Sequence, residues 1–190
     1  NERINAITVE NDGKRVSFAL QQFDLPGVEC HVFGDERSML RAFLEYWETH
    51  YPDIITGWNI RFFDIPYIYK RVVKLFDEKT AKRLSPIRKI QEKIVNRKGK
   101  DHTVFDLLGV ATLDYYELYI KFTYTNRESY SLNHIANVEL GEEKLDYSEH
   151  DSIKDFYTKD FQKFMEYNSH DVTLVQKLDK KLKLLELVVA

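Results

Sequence analysis

The first quarter of the chain consists of short alternating apolar and polar runs that are separated by turn residues. Ile4–Val9 and Arg15–Phe23 are predicted strands, and Asn11-Asp12-Gly13 between them is a strong signal for a hairpin turn. Cys30–Phe33 predicts a third, shorter strand. Asp35 is then expected to cap a helix, since apolar residues at helical spacing follow it: Met39, Leu40, Phe43, Leu44 and Trp47.

An apolar run rich in β-branched residues, Asp53–Gly57, predicts a strand that ends at its glycine. One carboxylate, Asp64, follows at the start of a predicted helix that extends to about Phe76. In α/β folds, functional sites form where strands end and deliver polar side chains. Asp64 is therefore the first candidate site residue.

The second half of the chain predicts a long hairpin followed by helices. Residues 88–105 have little apolar content and a turn at Asn96-Arg97-Lys98-Gly99, so we expect a hairpin that projects from the core and moves. Val110–Leu113 predicts a strand, and Asp114 and Ser131 each precede a predicted helix. A continuous helix is expected from about Ser152 to the end. This order of elements predicts a mixed α/β fold.

Composition limits the class of protein. A chain of 190 residues, of which 43% are hydrophobic and 14% aromatic, is expected to form one domain, residues 1–190. Its single cysteine, Cys30, excludes an internal disulfide and fits a reducing, intracellular setting. No apolar segment is long enough to cross a bilayer, so a membrane partner is not expected. Because the chain begins at Asn1, we expect a piece of a longer polypeptide.

Charge is distributed unevenly although the net charge is only −3. Residues 79–101 contain nine Lys and Arg against two acids, a local balance of +7, and residues 139–160 contain eight acids against three lysines, a balance of −5. A basic segment beside an acidic one suits a protein that grips phosphate and also holds cations. Two solvated faces explain the same pattern equally well.

A tyrosine and a carboxylate near the far end extend the site hypothesis. Tyr167 and Asp171 are four residues apart in a predicted helix, so they lie on one face, one turn apart. A carboxylate can hold a divalent cation and a phenol can orient a water bound to it, while Asp64 could share a second ion. Each residue also has an ordinary explanation: Asp64 as a helix cap, Tyr167 and Asp171 as a surface pair, and Asn59 as a turn residue.

Two segments resemble motifs of one enzyme family. Ile55-Thr56-Gly57-Trp58-Asn59-Ile60-Arg61-Phe62-Phe63-Asp64-Ile65-Pro66-Tyr67 resembles the Exo II motif of the proofreading domain of family B DNA polymerases, and Tyr167-Asn168-Ser169-His170-Asp171 resembles its Exo III motif. Further segments resemble the same domain in replicative polymerases of large tailed phages: Ala81-Lys82-Arg83-Leu84-Ser85-Pro86, Leu113-Asp114-Tyr115 and Ser129-Tyr130-Ser131-Leu132. The resemblance extends over nearly the whole chain.

The resemblance implies an RNase H-like mixed sheet flanked by helices, with a projecting β-hairpin. It also implies a 3′–5′ exonuclease that removes mismatched 3′ nucleotides with two Mg²⁺ or Mn²⁺ ions, in which Asp64 and Asp171 are metal ligands and Tyr167 serves the nucleophilic water. The expected DNA contacts are Asn59 and Phe63 at the terminal nucleotide, and Arg88, Lys89, Arg97 and Lys98 on the basic hairpin segment.

The sequence departs from that family at one motif. The family's Exo I motif, Phe-Asp-Ile-Glu, supplies an Asp and a Glu to the metal sites, and it is expected just upstream of Asn1, since Ile4–Val9 resembles the strand after it. We therefore expect these 190 residues to be weakly active or inactive and to hold at most one ion loosely. Without the Exo I strand, two sheet edges would be left open to self-association.

The implied partners are the single-stranded 3′ end of primer DNA and the remaining domains of a polymerase, in the cytoplasm of an infected host cell. A non-catalytic RNase H-like module that binds DNA or other polymerase parts is the alternative interpretation. A stand-alone proofreading nuclease is disfavoured by the apolar tail Leu184–Val189, which is typical of a chain that continues.

Overall fold

The computed structural model of the protein describes residues 2–142 and 153–189. Seven strands and eight α-helices occur in these ranges, with a 3-10 turn at Lys82–Leu84. In chain order they are β1 (Ala6–Asn11), β2 (Lys14–Ala19), β3 (Val28–Val32), α1 (Glu36–Thr49), β4 (Ile54–Gly57), α2 (Asp64–Leu75), α3 (Glu78–Ala81), β5 (Ile90–Arg97), β6 (Lys100–Leu107), β7 (Ala111–Asp114), α4 (Tyr115–Phe122), α5 (Leu132–Leu140), α6 (Ile153–Lys159), α7 (Phe161–Leu182) and α8 (Leu184–Val189).

The chain divides into two compact units. Unit I comprises Asn5–Met39 and the residues from Tyr124 onward, and unit II comprises the residues up to Ile4 together with Leu40–Thr123. Helix α1 begins in unit I and continues into unit II. The mixed α/β composition is the one that the hydrophobic pattern predicts.

Unit I is built on the sheet β1-β2-β3, in which β1 pairs antiparallel with β2 and β2 pairs parallel with β3. Asp12 and Gly13 form the predicted hairpin turn, with φ angles of 49° and 77°. This left-handed backbone matches the twist of a hairpin, and Asp and Gly tolerate it. The core of the unit includes Phe23 and Leu25, which cluster with Phe161 and Met165 of α7.

Unit II contains two pairs of strands. Strands β4 and β7 are parallel, and β5 and β6 form the predicted hairpin around the two-residue turn Lys98-Gly99. Within the described residues, β4 pairs only with β7, and β1 of unit I pairs only with β2. Each of these two strands therefore has one edge without a strand partner from the described part of the chain.

The hairpin spans residues 90–107 rather than 88–105, and it is less independent of the core than its composition suggests. Val104, Phe105 and Leu107 of β6 are buried, and the Phe105 ring stacks on Tyr69 of α2 with the ring centroids 4.1 Å apart. The other strand carries exposed residues such as Ile94. The end of β6 is thus attached to the core through Phe105 and α2, whereas most of β5 and the tip of the hairpin are exposed.

The predicted C-terminal helix is interrupted. Asp160 separates α6 from α7, where its side chain accepts the backbone N–H of Lys163, and Lys183 separates α7 from α8 with a left-handed φ of 54°. Residues 143–152, which carry half of the acids of the predicted acidic segment 139–160 and include the predicted helix start near Ser152, lie outside the described residues. None of the helices in the described ranges is long and apolar enough to cross a membrane.

Candidate functional site

The parallel strands β4 and β7 end side by side, with Gly57 opposite Asp114. The hydroxyl of Thr56 donates to the carbonyl of Leu113 at 2.7 Å and reinforces the pair. A Cβ atom on Gly57 would lie 2.5 Å from the Cγ2 atom of Ile60, which is closer than carbon atoms can approach. Glycine at this position therefore lets the chain turn sharply as it leaves β4.

The carboxylate of Asp114 holds the loop that follows β4. It accepts the backbone N–H groups of Asn59 at 2.9 Å and Arg61 at 3.0 Å, and it also caps α4 by accepting the N–H of Tyr116 at 3.0 Å. The residue is 2% exposed, and this burial raises the pKa of its carboxyl group, although the three backbone hydrogen bonds act in the opposite direction. One buried side chain thus fixes two elements at the end of the β4–β7 pair.

Asn59 adopts the left-handed conformation, with a φ of 65°. Its carbonyl accepts the N–H of Phe63 at 3.1 Å, and its side-chain oxygen accepts a hydrogen bond from Arg97 at 2.8 Å. The turn interpretation of Asn59 is therefore confirmed, because asparagine tolerates this backbone better than most residues do. Its side chain also has a specific partner, which the turn interpretation does not require.

Asp64 is the first residue of α2 but does not cap it. The cap position belongs to Phe63, which makes no side-chain capping hydrogen bond. The helix-cap interpretation of Asp64 is therefore wrong. A carboxylate in the first helical turn is still favoured by the backbone dipoles.

Asp64 is exposed, but the surrounding protein partly desolvates its carboxyl group. This desolvation raises its pKa from 3.8 to about 6, its own backbone N–H acts against the shift, and the nearby carboxylate of Asp114 adds to it. Such an environment disfavours the negative charge of the Asp64 carboxylate, and a bound cation would stabilise that charge. The Asp64 carboxylate is therefore suited to bind a cation.

Phe63 exposes a large apolar ring beside this carboxylate. The residue is 62% exposed, and its ring stacks on Tyr67 with the centroids 5.8 Å apart. An exposed aromatic side chain that is held by a neighbouring ring is suited to stack on a nucleobase. The family resemblance implies that Phe63 contacts DNA, and this role stays a prediction.

The four predicted cationic contacts differ in their surroundings. Arg97 lies at the hairpin tip, and Arg88 is exposed but forms an ion pair with Glu48 at 2.5 Å. Lys89 and Lys98 are exposed to solvent. The two lysines are thus placed to meet phosphate from solvent, whereas both arginines already interact with side chains of unit II.

Tyr167 and Asp171 lie one turn apart on α7, and both are half-buried. The side-chain amide of Asn133 donates to the Tyr167 hydroxyl oxygen at 3.0 Å, and the ring of Phe156 meets the Tyr167 ring edge-on at 6.2 Å. These contacts fix the direction of the phenol.

Arg15 of β2 attaches α7 to the sheet of unit I. Its guanidinium donates to the Ser169 carbonyl at 3.0 Å and to the Thr173 hydroxyl at 2.8 Å, and it pairs with Glu10 at 2.6 Å. Ser169 and Thr173 lie on either side of Asp171 in the sequence. The part of α7 that carries Asp171 is therefore fixed from the strand side.

The structure brings some of the predicted residues together. Asn59, Asp64 and Arg97 belong to unit II, while Tyr167 and Asp171 belong to unit I. No group of three or more His, Cys, Asp or Glu side chains suited to a metal ion occurs within residues 2–142 and 153–189. Sequence reasoning missed the positioning residues Asp114 and Arg15. Asp114 was read only as a helix cap, and no local pattern marks Arg15.

These features define a class of protein: an α/β protein with a carboxylate at a strand-to-helix junction and a tyrosine–carboxylate pair on a helix. Comparison with known proteins identifies the family. The family described as "DNA polymerase family B, exonuclease domain" matches residues 1–135. The chain is 39% identical to the DNA-directed DNA polymerase of Escherichia phage RB69 over 155 residues, which are 82% of the chain and 17% of that protein.

A second phage protein is similar to the chain to nearly the same degree. The DNA-directed DNA polymerase of Enterobacteria phage T4 is 37% identical over 158 residues, which are 83% of the chain and 17% of that protein. The DNA polymerase delta catalytic subunit of Plasmodium falciparum is 31% identical over 145 residues, 73% of the chain and 13% of that protein. The chain therefore belongs to the exonuclease domain family of family B DNA polymerases, and it spans about a sixth of the length of the two phage relatives.

Proposed function

We propose that these residues form the proofreading 3′–5′ exonuclease domain of a replicative DNA polymerase of the large tailed-phage type. The observation that carries the proposal is Asp64. Its carboxylate follows the end of a parallel strand, on a loop held by Asp114, and its surroundings raise its pKa to about 6. Perturbed carboxylates of this kind are concentrated at functional sites. Membership of the exonuclease family supplies the reaction class.

The proposed ligands fit a divalent cation. The Asp114 carboxylate lies near the Asp64 carboxylate and repels its negative charge. A cation would relieve this repulsion. Carboxylate oxygens are the ligands that Mg²⁺ and Mn²⁺ prefer. Asp64 and Asp171 would hold these ions, which polarise a phosphodiester and activate water when bound. Tyr167, with its phenol oriented by Asn133, would orient the attacking water.

Two carboxylates are fewer than a two-ion site needs. We propose that the Asp and Glu of the Exo I motif, which the family resemblance implies, complete the site, and that Asp64 and Asp171 without them hold at most one ion loosely and support little or no activity. The antiparallel β1–β2 pair of unit I and the parallel β4–β7 pair of unit II each fit the mixed strand pairing that an RNase H-like sheet requires. The edges of β1 and β4 that have no strand partner in the described part of the chain would each accept a further strand, from another segment or through self-association.

The proposed substrate is the single-stranded 3′ end of primer DNA. Asn59 and the exposed ring of Phe63 would contact the terminal nucleotide, because an amide can hydrogen-bond the nucleotide and a ring can stack on its base. Lys89 and Lys98, together with Arg88, would contact phosphates. The remaining polymerase domains would be partners in the cytoplasm of an infected host cell, since the two relatives at 37–39% identity are phage polymerases.

The decisive experiment is degradation of a 3′-mismatched primer in Mg²⁺ or Mn²⁺. The present chain should be compared with one extended upstream through the acidic strand, each with and without Asp171→Ala. Glu166→Ala is a matched control, because Glu166 is an exposed acid on the same helix. Activity in the extended chain alone, abolished by D171A and unchanged by E166A, is the expected result.

Two outcomes would contradict the proposal. Equal activity in both chains would mean that acids within these residues complete the site. The absence of activity in both would favour the alternative, a non-catalytic RNase H-like module that binds DNA or other polymerase parts.

A further inference from the structure

Arg97 connects the tip of the hairpin to the loop before Asp64. Arg97 is the last residue of β5, and its Nη1 atom donates to the Oδ1 atom of Asn59 at 2.8 Å. The guanidinium also lies over two aromatic rings, 4.5 Å from the centroid of Phe62 and 4.2 Å from the centroid of Tyr116. Arg97 is half-buried, in contrast to the exposed Lys98 beside it. It therefore has a defined set of internal contacts.

This contact fixes the orientation of the Asn59 amide. A guanidinium has only donors, so the Asn59 atom that faces Arg97 must be the oxygen. The Nδ2 group of the same planar amide then points away from Arg97 as a donor of two hydrogens. Without such a partner, an asparagine amide can rotate and present either its donor or its acceptor to a ligand.

The backbone of Asn59 is already fixed, so only its side chain could still change conformation. Its N–H is held by Asp114, and its carbonyl accepts the N–H of Phe63. We propose that Arg97 is a positioning residue, which fixes the Asn59 side chain as a hydrogen-bond donor toward the 3′-terminal nucleotide of a single strand. This inference rests on the proposed function, and it names a residue that acts through another residue and not on the DNA itself.

The chemistry of the proposed ligand suits a fixed donor. The phosphate oxygens, sugar oxygens and many base-edge atoms of a terminal nucleotide are hydrogen-bond acceptors. A donor that is already oriented loses less conformational entropy on binding than one that must be ordered. The rings of Phe62 and Tyr116 favour arginine over lysine at position 97, because a planar guanidinium stacks on aromatic rings whereas a lysine ammonium does not.

A direct phosphate contact by Arg97 is the competing explanation, and salt separates the two. Each phosphate contact to a single strand contributes about −0.7 to the slope of log affinity against log salt concentration. A residue that acts through Asn59 leaves this slope unchanged when it is replaced. The exposed Lys98 provides the matched control, because K98M removes the same charge at the next residue.

The test is a double-mutant cycle of Arg97→Met and Asn59→Gly in the full-length protein. Glycine is chosen at position 59 because it accepts the φ of 65° without strain. The probe is a single-stranded oligodeoxynucleotide with 2-aminopurine as its 3′-terminal base, titrated in EDTA at several salt concentrations. Its fluorescence measures binding of the 3′ end without hydrolysis, and a 3′-phosphorylated copy shows whether a free 3′ end is required.

We expect R97M to weaken binding about tenfold in the wild-type background and to have no effect in N59G, with the salt slope unchanged in both. R97K should recover only part of the affinity, since a lysine can donate to Asn59 but cannot stack in the same way. K98M should reduce the salt slope and show no coupling to Asn59. Thermal midpoints of all variants confirm that each one is folded.

Three results would overturn the inference. R97M could bind as the wild type does, it could lower affinity equally in both backgrounds, or it could reduce the salt slope in the way that K98M does. If the wild-type protein binds the oligonucleotides with a free and a phosphorylated 3′ end equally well, the proposed function itself is wrong. If the wild-type protein does distinguish the two 3′ ends but one of the three results above is found, the proposed function stands and only the positioning role of Arg97 is wrong. If R97M does not fold, R97K and R97Q are compared in the same cycle.

Discussion

The buried carboxylate of Asp114 accepts the backbone N–H of Asn59 at 2.9 Å. Through this bond, the residue that ends β7 fixes the loop that follows the neighbouring strand β4. The two residues are 55 positions apart in the sequence, so only the parallel pairing of the strands brings them together. The loop is thereby held in one conformation before it reaches Asp64. Rigid support of this kind is what a catalytic constellation needs.

Replacement of Asp114 by asparagine should destabilise the protein by about 1–3 kcal/mol, because the new amide would place a donor against a backbone N–H that now has an acceptor. Urea denaturation followed by circular dichroism measures the loss. D53N is the control, since Asp53 is exposed at the start of β4. Equal stability of D114N and D53N would show that Asp114 does not hold the loop.

Arg15→Met should destabilise unit I by about 2–3 kcal/mol and lower nuclease activity in the upstream-extended chain, because the buried contacts of the guanidinium to α7 are lost. The Arg15 side chain is only 15% exposed. K14M is the matched control: Lys14 is the preceding residue, and its ion pair with Glu29 is largely exposed, so a change of less than about 0.5 kcal/mol is expected. Similar urea midpoints for the two variants would contradict the anchoring role of Arg15.

Asp64→Asn should stabilise the metal-free protein and abolish nuclease activity in the upstream-extended chain. A carboxyl group whose pKa is about 6 when folded and 3.8 when unfolded binds its proton more tightly in the folded state. Its ionisation therefore costs stability, and this cost is absent below pH 3.8 and complete above about pH 6.

Because solvent still reaches Asp64, the expected gain of D64N at pH 8 is only about 1 kcal/mol. Thermal unfolding in EDTA at pH 8 and pH 4 measures it, with D53N as the control for loss of a surface charge. A D64N protein that is less stable than wild type at pH 8 would show that Asp64 has a structural role instead.

Glu48→Gln should remove an acid-sensitive contribution to stability. The pKa of Glu48 falls from 4.5 to about 2, mainly because Arg83 donates hydrogen bonds to its carboxylate, with a smaller contribution from Arg88 and with desolvation acting in the opposite direction. The folded state thus favours the ionised form, so the contribution is fully present above pH 4.5 and is lost as the pH falls toward 2.

We expect E48Q to be about 1–2 kcal/mol less stable than wild type at pH 7, and this difference should disappear as the pH falls from 4.5 toward 2. Urea denaturation at a series of pH values measures it. E45Q is the control, because Glu45 is exposed on the same helix. A difference that stays constant with pH would contradict the ion-pair explanation.

Local sequence signals predicted most of the secondary structure. Asp35, Asp114 and Ser131 each precede a helix and accept a backbone N–H from its first turn, and Asp12-Gly13 forms the predicted hairpin turn. These features depend on residues within four positions of each other, and for that reason they can be read directly. The breaks at Asp160 and Lys183 were missed, since apolar spacing continues across them, and α3 was missed because four residues are too few to show a periodic pattern.

The candidate site was predicted only in part. Asp64, Tyr167 and Asp171 were selected from spacing and from resemblance, and their roles in catalysis remain predictions. The family assignment is confirmed by the match over residues 1–135 and by the phage relatives. The hairpin is more closely attached to the core than its composition suggests, because Phe105 of β6 packs on Tyr69 of α2 and Arg97 contacts Asn59.

The sequence by itself determined the α/β class, the family and the candidate acids, because strand periodicity, capping residues and motifs are local patterns. Tertiary structure alone decided which side chains support those acids. Asp114 and Arg97 reach Asn59 from 55 and 38 positions away, and Arg15 reaches Ser169 across 154 positions. Such contacts depend on strand pairing and on packing of a complete core, and residue spacing along a chain carries no direct record of either.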